Sequence, residues 1–115
     1  MTKLINALSL NMIEEPAHVV GNVLDLRAEV IDLNEARSLA KDGIESFVGH
    51  PDTAALFAEQ LGVPVSVNRG NVILSDKVTL LGQYKGPRLP EGTKTLPPGA
   101  KIVWYKANRG VSSRR

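Results

Sequence analysis

Val48-Gly49-His50-Pro51-Asp52-Thr53, running on into Ala54-Ala55-Leu56-Phe57-Ala58-Glu59-Gln60-Leu61-Gly62, is the stretch on which the reading of this chain turns. An apolar run stops at a glycine and a histidine, and a helical pattern starts at once. Pro51 suits the first helical position, where a missing N–H is no loss, and Gly62 suits the stop. His50 then sits at the N-terminal end of a helix, where free backbone N–H groups and the positive end of the macrodipole favour phosphate. An imidazole at such a place can serve as a general acid or base, or simply cap the helix.

Working outward towards the N-terminus, Asp42-Gly43 ends a shorter helix, Asn34 to Lys41, with Asp32 or Asn34 as its cap and an acidic residue early. The five residues Ile44 to Val48 fit either an extended segment or a helical turn. Before them, His18 to Leu26 reads as a strand bent at Gly21, and Leu4 to Leu10 as a first strand with Asn6 and Ser9 near its exit and Asn11 just after. Asn and Ser at a strand end either line a ligand site or make local turns. His18 is assigned no role.

Towards the C-terminus, Val63 to Val67 is β-rich but holds a proline, and Asn68-Arg69-Gly70 makes a turn. Asn71 to Ser75 and Val78 to Tyr84 flank Asp76-Lys77 in the manner of a tight β-hairpin. Lys85 to Ala100 contains Pro87, Pro90, Pro97 and Pro98, so it reads as a long irregular loop of the sort that forms lids. Lys101 to Lys106 is a last strand with Trp104 as a core or interface aromatic. The pattern is α/β (α+β): one mixed sheet of five or six strands, two helices and a lid, in a single domain spanning residues 1–106 with a basic tail at 107–115.

Composition narrows the chemistry. A chain of 115 residues with 43% hydrophobic and 23% charged residues can bury one core. The net charge of +2 is too mild for a duplex-binding stripe, and Arg109, Arg114 and Arg115 cluster at the end of the chain. Zero cysteines and two distant histidines argue against disulfides and zinc centres, and P-loop, GxGxxG and Gly-x-Ser-x-Gly motifs are absent from the sequence. With no apolar run of membrane length and no export signal pattern, the expected setting is the cytoplasm, without membrane association. One histidine, a few loop arginines and amides suit metal-free cleavage of an RNA-like phosphodiester by its own 2′-hydroxyl. The protein need only align the attack, stabilise the phosphorane and protonate the departing 5′-oxygen.

Asn6-Ala7-Leu8-Ser9-Leu10-Asn11-Met12, Val48-Gly49-His50 with Thr53, Asn68-Arg69, Gln83, and Arg88-Leu89-Pro90-Glu91-Gly92, in that order and at similar separations, resemble the viral type III anti-CRISPR ring nucleases. The resemblance spans residue 3 to about residue 106. It implies a homodimer that binds cyclic tetra-adenylate and cuts it, without metal or cofactor, to linear di-adenylates ending in a 2′,3′-cyclic phosphate. Residue by residue, it implies His50 as general acid and Arg88 and Glu91 of the lid acting at the ring. Arg69 and Gln83 would hold the ligand, and Asn6, Ser9, Asn11 and Thr53 would line the pocket.

One departure is Pro51, which has no N–H to offer a phosphate; another is Asp52, an unhelpful charge unless it faces away. Two-fold symmetry would match two His50 imidazoles to two cuts, and Arg69 and Arg88, doubled, to four phosphates. A non-catalytic sequestering protein and a small nucleic-acid-binding regulator that uses the basic tail remain open.

Overall fold

The computed structural model describes residues 1–9, 12, 22–75 and 77–113. Its elements are β1 (Thr2–Ile5), β2 (Asn22–Ile31), α1 (Leu33–Ala40), β3 (Ile44–Ser46), α2 (Pro51–Leu61), β4 (Thr79–Lys85) and β5 (Lys101–Ser113). They form one five-stranded mixed sheet in the order β2-β5-β4-β1-β3, with β1 parallel to both β3 and β4, and β5 antiparallel to β4 and β2. The expected α+β architecture of one mixed sheet and two helices is what the chain adopts. No helix among the described residues is long and apolar enough to cross a membrane.

Alternation along the strands sends side chains to two faces, and each face is covered differently. Leu4, Leu80 and Trp104 join Ile31, Ala36, Ala54, Phe57 and Leu61 in the layer beneath the helices. Their neighbours Ile5, Leu81 and Tyr105 lie on the other face, with Val72, Leu74 and Ala107. The helix boundaries follow local rules. Asp32 caps α1 by accepting the Glu35 N–H at 2.8 Å, while Gly62 ends α2 in the left-handed region at φ 73°.

The position of α2 depends on a missing side chain. Phe57 packs on Trp104 with ring centroids 5.0 Å apart and planes tilted by 56°. A Cβ on Gly82 would lie 2.6 Å from Trp104 Cζ3 and 2.8 Å from Phe57 Cζ, so only glycine lets both rings close over β4.

Several local readings are corrected by the tertiary structure. The first strand ends at Ile5 rather than Leu10, and the second is Asn22–Ile31 rather than His18 to Leu26; residues 13–21, including the Gly21 bend, lie outside the described residues. The hairpin across Asp76-Lys77 does not form. Residues 71–75 join no ladder, although Val72 and Leu74 are buried as strand residues would be. Their backbone pairs elsewhere, with the Leu74 N–H donating to Met12 O and the Arg109 N–H to Ser75 O.

Val63 to Val67 likewise joins no strand, while Ile44–Ser46 is extended as β3. The hairpin that does form is β4–β5, closed by the Pro-rich loop and paired from Lys85↔Lys101 to Thr79↔Ala107. Nor does the last strand stop at Lys106. It continues to Ser113, so residues 107–113 of the expected tail are strand, because β2 supplies a partner as far as Asn22↔Ser113.

Candidate functional site

The parallel strands β1, β3 and β4 end at one edge of the sheet, the edge at which open α/β sheets present loops to ligands. His50 is delivered there by a short, tightly tied segment. The Phe47 N–H donates to Leu4 O at 2.9 Å, and the Val48 N–H to Ser46 Oγ at 3.1 Å. Asn68 clamps the same turn from the other side, its N–H on Val48 O and its Nδ2 on Ser46 O, both at 2.9 Å. Val48 is fully buried while His50 is exposed, so the segment is anchored and its tip is open.

His50 itself is the N-cap of α2. Its backbone is extended (φ −118°, ψ 126°), its carbonyl accepts the Ala54 N–H at 3.0 Å, and its Nδ1 accepts the Asp52 N–H at 3.2 Å. The neutral ring therefore carries its proton on Nε2, the nitrogen left to face a ligand. Pro51 has no N–H and that of Asp52 is committed to the imidazole, so two amides of the first turn are withdrawn from any anion. Arginine must supply what the helix end does not.

The partner wall is the loop between β4 and β5. Two Pro-x-Gly turns shape it: Pro90-Glu91-Gly92-Thr93, with the Thr93 N–H and Oγ1 both donating to Pro90 O, and Pro97-Pro98-Gly99-Ala100, with the Ala100 N–H donating to Pro97 O. Gly92 and Gly99 each stand at φ 81°, as the third residue of a type II turn requires. At the loop's base the Tyr84 hydroxyl donates to Pro87 O at 2.6 Å. At its tip the Gly92 N–H donates to Asp52 Oδ1 at 3.2 Å, a contact across forty residues of sequence that seats the loop on α2.

His50, Thr53, Arg88 and Glu91 thus line one cleft of about 1050 Å³, together with Tyr84 and Asp52. That volume is at the upper end of ordinary small-molecule sites, and the cleft is open to solvent. Arg69 stands just outside it. Its Nε donates to Gly49 O at 3.0 Å, and its Cγ occupies the space a Cβ on Gly49 would need, one residue from His50. Gln83 lies on the sheet face of Leu81 and accepts the Tyr105 hydroxyl at 3.4 Å, away from the helix side.

Asn6 and Ser9 line a separate cavity of about 160 Å³ with Phe47 and Gly70, and do not share a wall with His50 within this chain. Asn11 lies outside the described residues. Among the described residues no group of three or more His, Asp or Glu side chains is placed to hold a metal ion.

Two participants have roles that the sequence does not signal: Tyr84 ends a strand pattern, and Asp52 reads as an unhelpful charge beside an anion. The Pro-x-Gly spacing at 90–92 and 97–99 was the available sign that the loop has built turns with amides aimed at fixed places.

Residues 2–97 match a family model described as STIV B116-like. Among solved structures, B116 of Sulfolobus turreted icosahedral virus (STIV) is similar at a TM-score of 0.61 and 22% identity, covering 93% of this chain and 97% of that one. At that identity the likeness speaks for the fold alone. No curated protein matches.

Proposed function

The chain belongs to the STIV B116-like family, and from the chemistry of its cleft we propose that it is a metal-independent ring nuclease that opens cyclic tetra-adenylate. The observation that carries the reading is one juxtaposition: an N-capping imidazole with Nε2 open, an arginine and a carboxylate, all lining one open cleft of about 1050 Å³. The motif resemblance supports the choice of ring, and the exposure of His50 supports its access to one.

In the proposed reaction a bound 2′-hydroxyl attacks the adjacent phosphorus. The 2′-O–P bond forms, the P–O5′ bond breaks, and the 2′-hydroxyl proton passes to solvent. His50, once a second proton on Nδ1 has displaced the Asp52 N–H from it, donates from Nε2 to the departing 5′-oxygen and is left neutral with its hydrogen on Nδ1. Arg88, on the loop facing it, stabilises the charge that develops on the phosphorane, as a bidentate guanidinium can.

Each such event leaves a 2′,3′-cyclic phosphate and a free 5′-hydroxyl, and two of them on opposite sides of the ring give two di-adenylates. A C2 dimer would supply the second imidazole. Removing this ring would silence type III CRISPR signalling.

The test is incubation with cyclic tetra-adenylate in EDTA, wild type against His50→Ala, with products resolved by chromatography. The expected result is di-adenylate with a 2′,3′-cyclic phosphate from the wild type and a loss of about 100-fold or more in His50→Ala, the usual weight of a general acid. Tight binding with no turnover in either protein would identify a sequestering protein instead. Cleavage that persists unchanged in His50→Ala would overturn the mechanism.

A further inference from the structure

Asp52 touches both halves of the site through different atoms. Its backbone N–H donates to His50 Nδ1 at 3.2 Å, and its side-chain Oδ1 accepts the Gly92 N–H at 3.2 Å. We propose that Asp52 is a positioning residue, a latch that holds the tip of the 86–100 loop on the first turn of α2 and so sets Arg88 and Glu91 against the imidazole. The inference rests on the reading of the cleft as a ring-nuclease site.

The loop is held at two points on either side of those residues. Tyr84 pins its base through Pro87 O, immediately before Arg88. Asp52 pins its tip through Gly92, immediately after Glu91. The type II turn explains why the tip can be caught: with Gly92 at φ 81°, its N–H lies outside the turn's own hydrogen bond, which uses the Thr93 N–H.

Exposed loops built only from proline turns are free to swing. A charge-assisted bond at the far end removes that freedom before the ligand arrives, which is what preorganisation consists of. Asp52 thus holds the tip of the loop, as Tyr84 holds its base, although its charge opposes an anion. The bond to Gly92 N–H commits one carboxylate oxygen to the loop, which accounts for an acidic residue in a place where an anion must be bound.

The side chain and the backbone of Asp52 can be separated experimentally. Asp52→Ala removes the latch but keeps the N–H on His50, whereas Asp52→Asn keeps an oxygen that accepts from Gly92 while losing the charge. Amide hydrogen exchange of Gly92, read by NMR in the ligand-free protein, is expected to quicken roughly fivefold in Asp52→Ala, the worth of a modest hydrogen bond, and to change about twofold or less in Asp52→Asn.

With cyclic tetra-adenylate at saturation, the single-turnover rate should fall roughly fivefold in Asp52→Ala and recover most of the loss in Asp52→Asn. Loss of repulsion should leave KM equal or lower in both variants. Unchanged Gly92 exchange in Asp52→Ala, or equal single-turnover rates for Asp52→Ala and Asp52→Asn, would overturn the latch. If the wild type does not cleave the ring, the functional reading fails and the exchange data alone decide whether Asp52 holds the loop.

Discussion

Replacing Gly82 with alanine should loosen the whole site from a distance. The added Cβ would stand 2.6 Å from Trp104 Cζ3, 2.8 Å from Phe57 Cζ and 3.0 Å from Phe57 Cε2, against about 3.4 Å for ordinary contact, so something must yield by roughly 0.8 Å. Neither ring can do so cheaply. Phe57 is fully buried and Trp104 is 3% exposed, and each is hemmed in by the layer between sheet and helices. The least costly response is for α2 to ride outward on Phe57, carrying His50 at its N-terminus away from the 86–100 loop.

Overpacking of this kind costs about 1–3 kcal/mol, and the smaller conformational freedom of alanine in a strand returns about 0.5–1 kcal/mol, leaving a net loss of about 1–2 kcal/mol. For a domain of this size that corresponds to a fall in Tm of about 4–8 °C. Chemical denaturation of Gly82→Ala, with Phe57→Leu and the double variant completing a cycle, measures it. The two single losses should sum to more than the loss in the double variant, because a smaller side chain at 57 relieves the Phe57 share of the clash while the Trp104 share remains. A Gly82→Ala protein as stable as the wild type, or strictly additive losses, would show that the rings do not confine position 82.

Two further outcomes follow from the contacts. Tyr84→Phe removes the hydroxyl that holds Pro87 O and should leave overall stability within about 1 kcal/mol, yet quicken amide exchange at Arg88; unchanged exchange there would deny the pin at the loop's base. Lys106 lies 3.2 Å from Glu35 and 3.5 Å from Glu29, and the hydrogen bond to Glu35, then the charges of Glu29 and Glu35, raise its pKa above 10.5. A raised folded-state value means that the contribution to stability is complete below 10.5 and is lost as pH climbs through the folded value, so Lys106→Met should flatten the alkaline arm of the stability curve. The ion pair is exposed, so the effect is small and should shrink with salt.

Much of the site's anatomy is local and could be read one residue at a time. Pro51 after His50, a cap at Asp32 or Asn34 and the stop at Gly62 are decided within one turn of chain, and the structure seats Pro51 at the start of α2, takes Asp32 as the cap of α1 and ends α2 at Gly62. The turn expected at Asn68-Arg69-Gly70 does not form in the backbone, where the Gly70 N–H donates to the Asn68 side chain instead, at 2.9 Å to Oδ1. The sequence therefore determined where α2 begins and ends, where α1 lies to within a residue at each end, which faces are apolar, and that His50 stands at a helix start beside a proline-shaped loop.

Pairing was decided by the folded chain, because alternation says that a segment has two faces and not which neighbour satisfies its backbone. Residues 71–75 alternate as a strand does, yet Met12 O takes the Leu74 N–H, and β4 pairs with β1 and β5 instead. β5 outruns its own sequence pattern because β2 lies alongside to accept its ladder. The closure of the loop on α2 through Asp52 and Gly92 joins groups that no local rule links, and it exists only once Phe57, Gly82 and Trp104 have fixed how far the helix lies from the sheet.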